Sequence, residues 1–210
     1  MIPKTTGKIP KKSKPPRFSG GVFFLMKKRL FVGVPLSSEV RQKIAEQLLA
    51  PLQQSGADLN IASKEQLHFT LKFLGDVEEE QIGKVKEILR QVAVSRQPFL
   101  VQVRQVGVFP SPGYMRVIWI GVENGDLPAL LKELDEQLGF IRKNEHEEKP
   151  HVTLARVKSK KNKEQLQRFV AELQNASFGE MPVTELVLYE STLTAGGARY
   201  AVVERFPFGA

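Results

Sequence analysis

Cysteine is absent from this 210-residue chain. That excludes disulfides, thiolate zinc sites and a cysteine nucleophile, and it fits a reducing, cytoplasmic setting. Long apolar runs are absent too. None approaches the ~18–20 residues that a membrane-spanning helix needs, and Val22-Phe23-Phe24-Leu25-Met26 is shorter than the roughly 7–15-residue apolar stretch of a secretory signal. No membrane partner is expected. No His-Glu-x-x-His, P-loop or Gly-x-Gly-x-x-Gly occurs, and no Gly-x-Ser-x-Gly marks a serine nucleophile. Histidine is scarce, with three copies. Zinc and manganese hydrolases cluster three or more ligands, whereas His146 lies in the charged run Asn144-Glu145-His146-Glu147-Glu148, read as a solvated loop. No metal and no cofactor are expected.

The formal net charge is +8, and most of it sits at one end. Residues 1–25 hold Lys4, Lys8, Lys11, Lys12, Lys14 and Arg17 and no acid, leaving 25 basic residues against 23 acidic ones elsewhere. This segment is rich in Pro, Lys, Gly and Ser and has no apolar periodicity. A disordered basic extension is expected over 1–25, with weak attraction to polyanions. Met26 is then a candidate start of translation, and residues 26–210 form one folded domain.

Two of the three histidines stand in the same setting, His68-Phe69-Thr70-Leu71 and His151-Val152-Thr153-Leu154. Each reads as a short strand whose neighbouring side chains point to opposite faces. His68 and Thr70 share one face, with Phe69, Leu71 and Phe73 on the other. His151 and Thr153 repeat the arrangement, with Val152 and Leu154 toward a core. Histidine alone has an unperturbed pKa, about 6.5, that lets one copy be neutral and another charged near neutral pH. A pair across a cleft supplies a general base and a general acid together. A threonine beside each points to an anionic substrate, since its hydroxyl can donate to a phosphoryl oxygen. Strict alternation puts Lys72 on the His68 face. It puts Arg156 opposite His151 unless a bulge intervenes.

The order of elements repeats. A strand at 29–34, a helix at 37–50, the His68 strand at 67–74, a helix at 77–94 and a strand at 99–109 lead to the turn Pro110-Ser111-Pro112-Gly113. Arg116 to Val122 then resembles the opening strand down to its Gly-Val ending. A helix at 127–138 closed by Gly139, the His151 strand at 151–157, a helix at 163–174 and strands at 183–191 and 199–205 follow, the last after a hairpin turn at Gly196-Gly197. The expected class is α+β, a bilobal, internally duplicated fold. Two mainly antiparallel sheets surround a central cleft, with helices outside, one His-x-Thr strand in each lobe, and the lobes related by a pseudo-two-fold. Phe109 and Tyr114, beside the turn, are candidates to stack a terminal base. Trp119, inside an apolar strand, is expected in the core.

The segments Leu67-His68-Phe69-Thr70-Leu71-Lys72-Phe73-Leu74-Gly75 and Pro150-His151-Val152-Thr153-Leu154-Ala155-Arg156 resemble the two-histidine (2H) phosphoesterase superfamily. Within it the chain is similar to the RNA 2′,3′-cyclic phosphodiesterase, or 2′-5′ RNA ligase, family over about residues 26–208. Arg29-Leu30-Phe31-Val32-Gly33-Val34, Gly107-Val108-Phe109-Pro110 and Leu188-Tyr189-Glu190-Ser191-Thr192-Leu193 share in the likeness. The 25-residue extension departs from it. The resemblance implies metal-independent opening of a 2′,3′-cyclic phosphate at an RNA end to a 2′-phosphomonoester, with reverse 2′-5′ joining. It makes His68 the proton donor and His151 the acceptor, with Thr70 and Thr153 completing the catalytic set. Lys72, Arg156, Phe109 and Tyr114, read from their places beside the motifs and the turn, are the candidate substrate-binding residues. The implied partner is RNA with cyclic ends, tRNA halves among them, acted on by a cytoplasmic monomer. Two alternatives stand beside it: the same chemistry on a small nucleotide-derived cyclic phosphate, or a non-catalytic RNA- or nucleotide-binding module.

Overall fold

A computed structural model describes residues 27–144, 149–194 and 197–209. The expected disordered extension over 1–25, the start at Met26, the loop around His146 and Gly196 of the hairpin turn lie outside them. The described residues form nine strands, with helices between some of them. The strands are β1 (Lys27–Pro35), β2 (Leu59–Ile61), β3 (His68–Glu78), β4 (Phe99–Ser111), β5 (Tyr114–Glu123), β6 (His151–Val157), β7 (Ser177–Val183), β8 (Glu185–Thr194) and β9 (Gly197–Pro207). Helix α1 (Ser38–Ile44) widens into a π-turn at Ala45–Leu49 and continues as α2 (Ala50–Gln54). The widening sits where Pro51 removes an amide donor and crowds the preceding turn. Helices α3 (Glu79–Val94), α4 (Leu127–Gln137) and α5 (Lys163–Leu173) each bury one apolar stripe. That stripe is Ile82, Val85, Leu89 and Val92 in α3, spaced as an amphipathic helix requires.

The strands form one antiparallel sheet in the order β7-β4-β5-β6-β3-β1-β8-β9, with β2 beside β6. The two expected sheets are therefore continuous, but only through the single pair Phe69↔Val152 between β3 and β6. On either side of that bridge the sequence of strands is equivalent. Each histidine strand has an N-terminal strand of its repeat as neighbour, β1 or β5. The next strand outward comes from the other repeat. β4 pairs with β5 and β7, while β8 pairs with β1 and β9. The third strand of each repeat has crossed over, which the order of elements in the chain did not reveal.

Two smaller expectations also change. β7 and β8 are separate strands where one was read at 183–191, and β2 was not foreseen. Gly139 does not close α4 in a left-handed conformation. The helix ends at Leu138, whose N–H reaches the Leu134 carbonyl at 3.0 Å, and a Cβ at Gly139 would lie 2.9 Å from the Asp135 carbonyl oxygen.

Candidate active site

The bridge between the histidine strands builds the site. Phe69 and Val152, directly paired, are fully buried. Alternation turns the residues that flank them to the other face. In this antiparallel register His68 is carried toward Thr153 and Thr70 toward His151, so two imidazoles and two hydroxyls share one half-buried surface.

Both imidazoles are held alike. His68 Nδ1 lies 2.7 Å from the Gln66 carbonyl oxygen, and His151 Nδ1 lies 2.8 Å from that of Lys149. A carbonyl only accepts, so each Nδ1 carries the proton and each Nε2 is left for substrate. The same i−2 contact at both motifs fixes tautomer and ring direction before anything binds.

Burial is the first cause that lowers both histidines below the usual imidazole value. The backbone acceptors oppose it by favouring the charged rings. Beyond that the two differ. His68 feels the charge of His151, whereas His151 feels that of Arg156.

Arg156 reaches this face because of a bulge. Between Ile118↔Ala155 and Trp119↔Thr153 the ladder skips Leu154. An unpaired residue reverses the alternation, so Arg156, exposed, rejoins the side of His151 and Thr153. The first motif has the same device, with Leu71 skipped between Val32↔Lys72 and Gly33↔Thr70. Here it corrects two expectations. Phe73, and not Lys72, stands on the His68 face, 45 % exposed and with its ring 6.0 Å from that of Phe31. Lys72 is fully buried on the opposite side, ion-paired to Asp135 and donating to Asn144 Oδ1 at 2.9 Å. It braces α4 and the segment that leads to His151; it does not face the cleft. Phe73 and Arg156 occupy the same place in the two motifs, which gives the site one cationic and one aromatic end.

Aromatic rings line each histidine. Phe31, Tyr200 and Tyr189 surround His68 at ring-centre distances of 4.9, 5.0 and 5.5 Å. Around His151, Phe109 stands edge-on at 5.1 Å and stacks on Trp119 at 5.0 Å. Trp119 is therefore not a core residue. It pairs with Thr153 on the cleft side, and its ring fills the place a side chain at Gly107 would take, since a Cβ there would come within 2.3 Å of the indole. The Gly-Val endings of the two opening strands also do not correspond: Gly33 lies opposite Thr70, Gly121 opposite His151.

A cavity of about 950 Å³ adjoins His151, lined by Phe109, Trp119, Gln105, Asn124 and Lys132 among others. Gln105 has a left-handed backbone, φ 65°, at a register shift in β4, the kind of strained position that re-aims a side chain into a site. Tyr114 lies elsewhere. It sits at the tip of the β4–β5 hairpin and lines a separate groove, seven residues along β5 from the partner of His151, or ~23 Å at strand rise. Sequence reasoning missed Phe31, Tyr189 and Tyr200 as site residues. Their signal was an aromatic in each of β1, β8 and β9, legible only once those strands are neighbours. Among the described residues no His, Asp or Glu group is arranged to hold a metal, and no helix is long and apolar enough to cross a membrane.

Paired imidazoles with flanking hydroxyls and a guanidinium, on an internally repeated antiparallel sheet, define an acid–base site suited to a phosphoester. The chain belongs to the LigT-like phosphoesterase family, whose model matches it twice, over residues 34–119 and 120–200. It is 37% identical over 185 residues to the RNA 2′,3′-cyclic phosphodiesterase of Methanothermobacter thermautotrophicus, covering 86% of this chain and 99% of that protein. The enzyme of the same name from Archaeoglobus fulgidus is 40% identical over 176 residues, covering 82% and 96%. The crystal structure of TT0787 of Thermus thermophilus superposes with a TM-score of 0.72 at 28% identity, over 86% of this chain and 98% of that one.

Proposed function

We propose that this protein hydrolyses 2′,3′-cyclic phosphodiester ends of RNA to 2′-phosphomonoesters, with His68 and His151 as the acid and base of one in-line displacement. The observation that carries it is the Phe69↔Val152 bridge, which sets both oriented imidazoles on one face. His151 Nε2 takes a proton from water as its oxygen attacks phosphorus. The P–O3′ bond breaks, and His68 Nε2–H gives its proton to the departing 3′ oxygen. Thr70 and Thr153 donate to the non-bridging oxygens, where charge grows in the transition state. This division of labour follows the matching motif positions. The electrostatics treat the rings alike, since burial lowers both and each feels one neighbouring positive charge, Arg156 at His151 and His151 at His68.

With the 5′-hydroxyl of a second RNA in place of water, the same displacement joins two ends. O5′ gives its proton to His151 and attacks the cyclic phosphorus, the P–O3′ bond breaks, the 3′ oxygen takes the His68 proton, and a 2′-5′ linkage remains. RNA halves such as those of tRNA are suitable substrates, handled by a monomer. The relatives named as RNA 2′,3′-cyclic phosphodiesterases support the substrate class. The test is to incubate the protein, in EDTA, with RNA bearing a 2′,3′-cyclic end and to identify the product isomer. A 2′-phosphate is expected at an undiminished rate. A 3′-phosphate, or activity only on added metal, would overturn the assignment.

A further inference from the structure

Beyond Arg156, one basic surface takes no part in this chemistry. From Arg156 the chain reads Arg156-Val157-Lys158-Ser159-Lys160-Lys161-Asn162-Lys163, five cations in eight residues with no acid. The segment leaves the end of β6 and enters α5. Beside it a cavity of about 210 Å³ has an apolar floor, Met115 and Leu166, under a rim of Arg116, Lys158, Lys160 and Lys163, and no acidic residue lines it. Tyr114 is 53 % exposed at its mouth, with the Arg116 guanidinium 5.4 Å from its ring centre. Among the described residues none of these rim cations forms an ion pair, although ten ion pairs occur elsewhere.

We propose that this groove is a docking track for the single-stranded RNA body upstream of the reacting end, with the phosphate backbone on the lysine rim and a base against Tyr114. The proposal rests on the phosphodiesterase assignment and adds to it a preference for polynucleotides over mononucleotides. Three observations point the same way. The rim begins where β6 leaves the cleft: Arg156 lies on the His151 face, and Lys158, the first rim lysine, follows two residues later. From His151 to Lys158 is seven residues of strand and its exit, ~20 Å, so a mononucleotide at the histidines cannot reach it and a longer strand can. Cations in line with an exposed aromatic ring are the means by which proteins hold single strands without reading sequence. A membrane surface is disfavoured because the apolar part of the groove is a recessed floor and not a protruding anchor.

The test compares the full chain with a variant carrying Lys158→Glu, Lys160→Glu and Lys163→Glu, and with the milder triple Lys→Gln variant in case charge reversal disturbs folding. Substrates are a nucleoside 2′,3′-cyclic phosphate and a ten-nucleotide RNA ending in the same group. Binding of the labelled ten-mer is followed by fluorescence anisotropy from 50 to 200 mM salt. The wild type should prefer the ten-mer. The variants should raise its KM about tenfold or more, leave the mononucleotide unaffected, and flatten the salt slope of binding by about two, at ~0.7 per lost phosphate contact. Equal turnover of the ten-mer by wild type and both variants overturns the track, as does a parallel loss on both substrates. Loss of binding to anionic vesicles with RNA binding intact would assign the surface to membranes and overturn it too. If the wild type turns over neither substrate, the phosphodiesterase assignment fails, and the anisotropy series still decides whether these lysines bind RNA.

Discussion

Each motif imidazole is defined by one backbone carbonyl two residues upstream and by the burial around it. Removing either ring, in His68→Ala or His151→Ala, should slow single-turnover opening of a cyclic phosphate by about 10²–10⁴-fold. The double variant should be little worse than the poorer single, because both proton transfers serve one displacement. Independent, multiplying losses would show that the two rings do not act on the same phosphorus. The lowered pKa values set the pH profile. One ring must be neutral and the other charged, so kcat/KM should be a bell whose maximum lies on the acid side of about 6.5, the ordinary imidazole value. The falling limb appears where the acid loses its proton, earlier than in a solvated histidine. A bound phosphate anion favours imidazolium, so the kcat profile should move to higher pH than that of kcat/KM. Coincident profiles would contradict this. Stability carries the same sign: the folded state binds fewer protons, so this contribution is present above about pH 6.5 and is lost as pH falls through the lowered values.

At the scale of elements, the two bulged strands decide which residues meet. Alternation placed His68 with Thr70 and His151 with Thr153, and the antiparallel α+β class followed from the order of elements. Lys72, Phe73 and Arg156 were not legible in the same way. Whether a ladder skips Leu71 or Leu154 depends on how the neighbouring strand twists against it, and no local pattern in the chain records that. Trp119 was misplaced for a related reason. Its cleft position needs the bare backbone of Gly107, a residue from a strand that pairs with β5 across a hairpin. The buried Lys72 offers a direct check on its corrected role. Asp135→Asn leaves the ammonium buried with its charge unpaired, and should lower stability by about 3 kcal/mol, or roughly 6–12 °C in Tm for a chain of this size. Lys72→Met, which removes the charge as well and keeps an apolar stem, should cost less. A thermal melt in which Lys72→Met is the worse of the two would show that the buried ammonium is not penalised by losing Asp135.

For the whole molecule, the exchange of β4 and β8 means that neither half of the sheet can be completed by its own repeat. Residues 27–111 alone would leave β4 without a partner and β1 with one open edge. Unfolding in urea should therefore be a single transition. Fluorescence of the one tryptophan, which reports the β4–β5–β6 half, and far-ultraviolet circular dichroism, which reports all of it, should give the same midpoint. A tryptophan signal that changes at a different urea concentration would mean that the halves come apart separately.

The crossed strands also bear on ancestry. A chain holding a single repeat has nowhere in itself to pair its third strand, so two copies would each lend that strand to the other. The product would be a dimer with its two-fold axis between the histidine strands and one motif histidine from each subunit. Joining two copies in one gene keeps that geometry and releases its halves from identity. Phe73 and Arg156, or Gly33 and Trp119, then mark where descendants of one position parted. On this view acid and base began as the same residue, and the distinction between them was acquired through their neighbours.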